Sequence, residues 1–221
     1  MPREYIIVSS APNEAGQKRI RFSAVEIRHI LISMAVLTLG FAFFFSNMLV
    51  YGFLLDFFIL NLIIAAVGVS TEFLLHELAH KFTAQKYGCW SEYRYTELGL
   101  VLTLMSGIAG FLIAAPGVVY HSGYITREQE GKISAAGPAT NLALGGIFLG
   151  LWLFVPLNWF FTYLTFWVAL INIWVGAFNL VPIPPLDGSK IWKWSIPIYI
   201  AMWAGFILMG IGLYRLHPIF L

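Results

Sequence analysis

Charge is what this chain has least of. Only 11% of its 221 residues are Asp, Glu, Lys or Arg, against about 25% in soluble domains. Hydrophobic residues make up 59%, and mean hydropathy is +0.79. A water-soluble fold is excluded, and the chain reads as an integral membrane protein. Cysteine is nearly absent too. Cys89 alone excludes an intramolecular disulfide and a Cys-rich zinc site, so any metal must be held by His and carboxylate. There is no internal repeat and no low-complexity tract. No secretory signal is expected: residues 1–29 are polar, with Arg3, Lys18, Arg19, Arg21 and Arg28, and the first hydrophobic run is too long for one. Length allows one membrane domain without a sizeable soluble module.

What is abundant is charge-free sequence. Residues 30–50 carry no formal charge, and about 20 apolar residues cross the hydrocarbon. A second span is expected over 57–80. Its latter half holds Glu72, His76, Glu77 and His80, and ionisable groups in a span mark function. Residues 88–97 alternate enough aromatics (Trp90, Tyr93, Tyr95) to suggest a strand. Residues 98–119 are again charge-free, and 121–132 read as a polar loop. Residues 133–186 fit two spans turned at Pro156-Leu157-Asn158. The second must end near Asn179, because Pro182, Pro184 and Pro185 cannot continue a helix. A last span covers 194–214. Before the first, 13–17 read as a turn. Residues 22–29 read as a short interfacial helix, with Ser23 as N-cap and Glu26 three residues on.

Charge placement arranges these spans. Lys and Arg mark cytosolic loops. If 98–119 enters and leaves on one side, segments 1–29, 81–97, 120–132 and 187–193 share the cytosolic face. They hold twelve of the thirteen basic residues, and the turns at 51–56 and 156–159 hold none. The expected fold is therefore an all-α polytopic membrane protein of about five to six transmembrane helices. A re-entrant, partly β segment around 90–123 leans on the site. The N-terminus is cytosolic, and 1–29 form a polar basic tail ahead of a single membrane domain over 30–221.

His76-Glu77-Leu78-Ala79-His80 is an HExxH sequence. On a helix the two histidines share a face and can grip one Zn²⁺, with Glu77 beside them for a water proton. Five residues can match by chance, so a third ligand is needed. His29, His121 and His217 are the other histidines. The best carboxylate is Asp187, which follows the proline-broken helix end, with Gly188 allowing a tight turn. Alone, Asp187 reads as a surface charge at a loop start; paired with HExxH, it reads as the third ligand.

Three stretches in order, His76–His80, Gly137-Pro138-Ala139-Thr140-Asn141 and the run from Asn179 to Pro184-Pro185-Leu186-Asp187-Gly188, resemble the site-2 protease family of intramembrane zinc metalloproteases. That resemblance covers roughly residues 60–195. It implies one Zn²⁺ on His76, His80 and Asp187, a zinc-bound water as nucleophile, and Glu77 as general base. Asn141 and Asn179 would be polar groups near the site, and Asn141 could steady the oxyanion. The implied partners are the lipid bilayer and a single-span membrane-protein substrate, not nucleic acid. An unwound substrate could add as a strand to the 90–123 region. The rival readings are a transporter or channel for protons or metal ions through the same His/Glu/Asp cluster, and a non-catalytic binding protein. Glu72 could accept from a ligand imidazole or pair with another buried group. His121 reads as an ordinary loop histidine, Asn61 and Asn172 as interhelical hydrogen-bonders, Cys89 as inert, and Lys190 and Lys193 as headgroup anchors.

Overall fold

The computed structural model describes residues 5–8 and 21–220, with backbone alone at 5–8 and 215–220. The turn expected at 13–17 and the side chain of His217 lie outside what is described. Helix α1 (Ala24–Ser46) starts where Ser23 Oγ accepts from Glu26 N at 3.0 Å. The cap falls where expected, but no separate interfacial helix exists. The helix runs unbroken into the first span because no residue between 24 and 46 interrupts it. A short turn, α2 (Met48–Tyr51), leads to α3 (Leu55–Val69), a π-helical turn (Ser70–Leu74) and α4 (Leu75–Lys86). These last three form one 32-residue helix. Then come α6 (Arg127–Phe154), α7 (Trp159–Asn179), the short α8 (Gly188–Trp194) and α9 (Ile196–Phe220). Five helices among the described residues are long and apolar enough to cross a membrane.

The segment between the second and third spans turns back. Strand β2 (Trp90–Tyr95) feeds α5 (Glu97–Ile108), and the chain returns through β3 (Gly117–Thr126). Twelve residues of α5 reach about 18 Å, short of the roughly 30 Å of hydrocarbon. The two ends meet: Tyr95 pairs with Gly117, and Thr96 N donates to Pro116 O at 2.9 Å. The excursion therefore enters and leaves on one side. Its irregular return satisfies its own backbone, as membrane depth requires. Ser106 Oγ accepts from Ile113 N at 2.9 Å, and Thr103 Oγ1 donates to Ile113 O at 3.0 Å.

Two expectations are corrected. Residues 121–126 are not loop but the second half of β3, and α6 starts at once behind them with a Thr126–Gln129 capping box. Tyr5–Val8, read as part of a polar tail, forms β1. It pairs antiparallel with β3 from Tyr5–Thr126 to Val8–Gly123, giving the order β1-β3-β2. A run of Tyr-Ile-Ile-Val has strong strand preference; the surrounding basic residues masked it.

Two apolar clusters flank the middle of the molecule. Trp152, Ala169, Ile173 and Phe206 join α6, α7 and α9. Leu37, Phe41, Val69, Phe73 and Tyr93 join α1, the long helix and β2. Outward side chains such as Leu49, Leu98, Trp174 and Leu208 are exposed and apolar, as a lipid-facing surface requires.

A buried ion pair ties these parts together. Lys81 Nζ donates to both Glu26 oxygens (2.9 and 2.8 Å) and to Ser91 O (2.7 Å). Tyr93 N donates to Glu26 Oε1 at 3.0 Å, and Tyr95 N to His29 Nδ1 at 3.2 Å, with the His29 ring stacked on Tyr95. Glu26 is 0% and Lys81 2% exposed. Side chains of α1 therefore occupy the outer edge of β2.

Candidate metal centre

The long helix presents His76 and His80 one turn apart on its inner face, just beyond the π-turn. Such turns shift the helical register and recur at functional sites. This one is pinned from outside. Asn172 Nδ2, on α7, donates to Thr71 Oγ1 at 3.0 Å, and Asn141 Nδ2, on α6, donates to Glu72 O at 3.1 Å.

Helix α6 backs the histidines with the Gly137–Asn141 stretch. A Cβ on Gly137 would land on the Nε2 atoms of both His76 and His80, so only glycine lets the helices approach this closely. Pro138, inside α6, has no N–H for the Ser134 carbonyl, which is left without its helical donor. The neighbouring carbonyl, Ile133 O, accepts from His80 Nδ1 at 2.7 Å. Asn141 Oδ1 accepts from His76 Nδ1.

These contacts fix the ring protons. Ile133 O can only accept, so His80 carries its proton on Nδ1. Val168 O takes Asn172 Nδ2 at 2.9 Å, which turns Asn172 Oδ1 toward Asn141 Nδ2 (3.2 Å). Glu72 O and Asn172 Oδ1 together make Asn141's amide nitrogen face away from His76. Its oxygen is left for His76 Nδ1–H. In neutral rings both Nε2 atoms then present lone pairs.

Those lone pairs face each other. The two Nε2 atoms are 2.9 Å apart, and Asp187 Oδ2 lies 3.3 Å from His76 Nε2 and 3.1 Å from His80 Nε2. Three electron-rich atoms this close repel unless a cation or a proton sits among them. Tetrahedral Zn–N and Zn–O bonds of about 2.0–2.1 Å would place neighbouring donors about 3.3 Å apart. The donor set and spacing therefore fit a zinc ion. His76, His80 and Asp187 are a cluster able to hold a metal among the described residues.

Asp187 arrives from the loop after α7. Leu180 to Leu186 make tight turns (Ile183 N to Val181 O, 2.8 Å; Leu186 N to Ile183 O, 2.9 Å), and the Asp187 carbonyl starts α8 by accepting from Lys190 N and Ile191 N. The expected reason for Gly188 is corrected. It does not take a positive φ; a Cβ there would run into the Leu180 backbone. Its smallness lets the loop close and brings Asp187 to the histidines.

A cavity of about 320 Å³ opens in front of the triad. Its walls include Glu72, Glu77, Gly117, His121, Asn179 and Lys190. Glu77 is half-buried and makes no hydrogen bond to another described residue. Glu72 meets neither expectation: Asn141, not Glu72, orients His76, and Glu72 is a residue of the cavity lining with no side-chain hydrogen bond among the described residues. Asn141 also differs from its expected use. It is 0% exposed, and its amide is committed to His76, Glu72 and Asn172, so it has no donor to spare for an oxyanion. His121 is no loop histidine. It sits on β3 opposite Ser91, with Nδ1 buried and unpartnered. Burial, then the Lys190 charge, bring its pKa down to about 4, so it is neutral at pH 7. Lys190 lines the cavity rather than the surface; Lys193 is exposed. Asn61 and Asn172 bridge helices as expected: Asn61 Nδ2 donates to Ser46 Oγ at 3.1 Å. Cys89 is buried, and burial raises its thiol pKa.

The model of peptidase family M50 matches residues 156–199. A protein of Methanocaldococcus jannaschii, described as a candidate zinc metalloprotease, is 39% identical over 198 residues, covering 89% of this chain and 97% of that one. A Mycolicibacterium smegmatis protein of the same description is 32% identical over 144 residues, 57% of this chain and 54% of its own length. One from Bacillus subtilis is 29% identical over 151 residues, 59% and 68% of the two chains. No solved structure gives a significant match. With near-complete coverage of the archaeal relative and five membrane-length helices around an HExxH site, the chain belongs to peptidase family M50, the site-2 protease family, as a multi-pass membrane zinc metalloprotease.

Proposed function

We propose that this protein is an intramembrane endopeptidase that hydrolyses a peptide bond in or near the transmembrane segment of a single-span membrane protein. The observation that carries this reading is the convergence of two Nε2 lone pairs and one carboxylate oxygen on a cavity among membrane-length helices. His76, His80 and Asp187 would hold one zinc ion. When bound, it supplies Lewis acidity toward water and a peptide carbonyl at neutral pH.

Each remaining residue has a separate task. Glu77 takes the proton of the attacking water and returns it to the leaving amine nitrogen; its freedom from other hydrogen bonds supports that role. Asn141 and Ile133 O hold the two rings so that both Nε2 atoms point at one spot. A peptide bond in a membrane helix is already hydrogen-bonded within its own segment, so the substrate must unwind locally. Added-strand binding at β2 is disfavoured, because α1 occupies its outer edge. Gly117–Val119 of β3, beside the cavity, are the better place for the unwound segment. The N-terminus and the site lie toward the cytosol, as the basic residues suggest. Conduction of protons or metal through the cluster is not favoured in a member of a peptidase family.

The test uses a synthetic single-span peptide with two glycines in its hydrophobic segment, bearing a fluorophore and quencher, in vesicles with the protein. Wild type should contain one zinc per chain and cleave the peptide. His76→Ala and Asp187→Ala should lose both. Undiminished zinc in Asp187→Ala would remove the third-ligand assignment. Zinc flux without cleavage would favour transport.

A further inference from the structure

Two nitrogen-bearing side chains line the cavity from different elements, Lys190 with no hydrogen bond and His121 with an unpartnered Nδ1 among the described residues. Lys190 stands on the first turn of α8, three residues past Asp187. Its ammonium makes no hydrogen bond or ion pair among the described residues, although Glu72, Glu77 and Asp187 line the same cavity. His121 stands on β3, and its buried Nδ1 has no partner. Buried polar groups are otherwise almost always paired. The contrast is local: behind the histidines, Asn141 and Asn172 use their amides on one another and on the long helix.

Beyond the Lewis acidity that a bound zinc would supply, peptide hydrolysis gains from a hydrogen-bond donor at the carbonyl oxygen. As the water oxygen bonds to the carbonyl carbon, negative charge gathers on the carbonyl oxygen before the C–N bond breaks. Asn141 cannot meet that charge, because it is fully buried and its amide is committed. An unpaired ammonium in the cavity wall can. Its anchorage favours this use, since α8 begins at the Asp187 carbonyl, which accepts from Lys190 N at 3.0 Å. The turn that delivers the carboxylate therefore also fixes the start of the Lys190 side chain.

We propose that Lys190 donates a hydrogen bond to the carbonyl oxygen of the scissile peptide, and that His121 binds a backbone group of the substrate beside it. This rests on the peptidase reading above. Lys190 transfers no proton: the water's proton passes to Glu77 and then to the leaving amine. Lys190 is thus a catalytic residue by contact with the reacting atoms, and His121 a substrate-binding one.

The experiment measures kcat, KM and zinc content for wild type, Lys190→Met, Lys190→Arg and His121→Leu on the quenched single-span peptide in vesicles. Lys190→Met should lose about 100-fold in kcat, the usual effect of removing one oxyanion donor, with KM and one zinc per chain preserved. Lys190→Arg keeps a donor and should recover part of the loss. His121→Leu should raise KM roughly tenfold, as the loss of one substrate hydrogen bond, with kcat little changed. Wild-type kcat in Lys190→Met, or zinc lost in step with activity, would overturn the proposal while leaving the peptidase reading intact. No cleavage by wild type would overturn both.

Discussion

The wall behind His76 and His80 and the wall in front of them are built on opposite rules. Behind, on α6 and α7, the functional polar atoms are paired: Ile133 O with His80, Asn141 with His76, Glu72 O and Asn172, and Asn172 with Val168 O and Thr71. In front, Glu77, His121 and Lys190 line a cavity, and their side chains make no hydrogen bond to another described residue. Paired groups in a low-dielectric interior fix geometry, and unpaired ones are costly unless something else binds them. The difference separates what builds the site from what uses it. Damage to the front should spare metal and fold while stopping turnover; damage to the back should loosen metal or fold.

The largest effect should come from the front. Glu77→Gln keeps size and burial but removes the base. Cleavage of the single-span peptide should fall by about three orders of magnitude, with one zinc per chain retained by metal analysis and an unchanged melting curve. Loss of zinc with activity would move Glu77 to the other wall.

Next comes the ion pair that ties α1 to α4 and β2. Glu26→Ala leaves the Lys81 ammonium buried at 2% exposure without its partner. Stability should drop by about 3–5 kcal/mol, read as earlier thermal unfolding in detergent. The double variant Glu26→Leu/Lys81→Met removes both charges and should regain most of that loss. A double variant no better than the single one would mean that the Tyr93 N and Ser91 O contacts, not the charges, hold the junction.

The meeting of His76, His80 and Asp187 was legible in the sequence because HExxH and the proline-broken run before Asp187 carry their own chemistry. The re-entrant segment was legible from charge placement, because a true span over 98–119 would have moved Lys190 and Lys193 across the membrane. The two walls were not legible. Whether an amide nitrogen is free depends on which carbonyls lie near it, so Asn141 read as a donor to substrate although the fold spends it on Glu72 O and Asn172. Lys190 read as a headgroup anchor because its number places it at a helix end, and only the turn at Asp187 aims it inward. Gly137 and Gly188 stood in motifs, but their reason is a neighbour distant in sequence, the histidine pair and Leu180. One signal was available and missed: Tyr5–Val8 is strand-forming by composition alone.

Asn141→Leu tests the back wall directly. His76 Nδ1 loses its acceptor, so its tautomer and ring angle are no longer set. Zinc affinity should fall by about 10- to 100-fold, the usual cost of removing a partner behind a ligand histidine. Added zinc should restore cleavage. Failure of saturating zinc to restore it would mean that Asn141 touches substrate after all.

The smallest effect, and the sharpest division, lies one bond further back. Asn172 reaches His76 only through Asn141, and Asn141 keeps a second anchor, Glu72 O, when Asn172 is gone. That carbonyl can only accept, so it still turns the Asn141 amide nitrogen away from the imidazole. Asn172→Ala should therefore cost about 0.6 kcal/mol of stability, the mean for a polar contact between membrane helices. Zinc affinity should shift by less than about fivefold, well below the Asn141→Leu loss. The π-turn also loses its tie to α7 at Thr71, and any loosening there would appear as faster amide exchange over 70–74 rather than as lost metal. Equal metal loss in Asn172→Ala and Asn141→Leu would show that the ring is held by a connected network with no single decisive acceptor. The contrast between a fixed wall and a working wall would then have to be drawn around the whole α6–α7 contact.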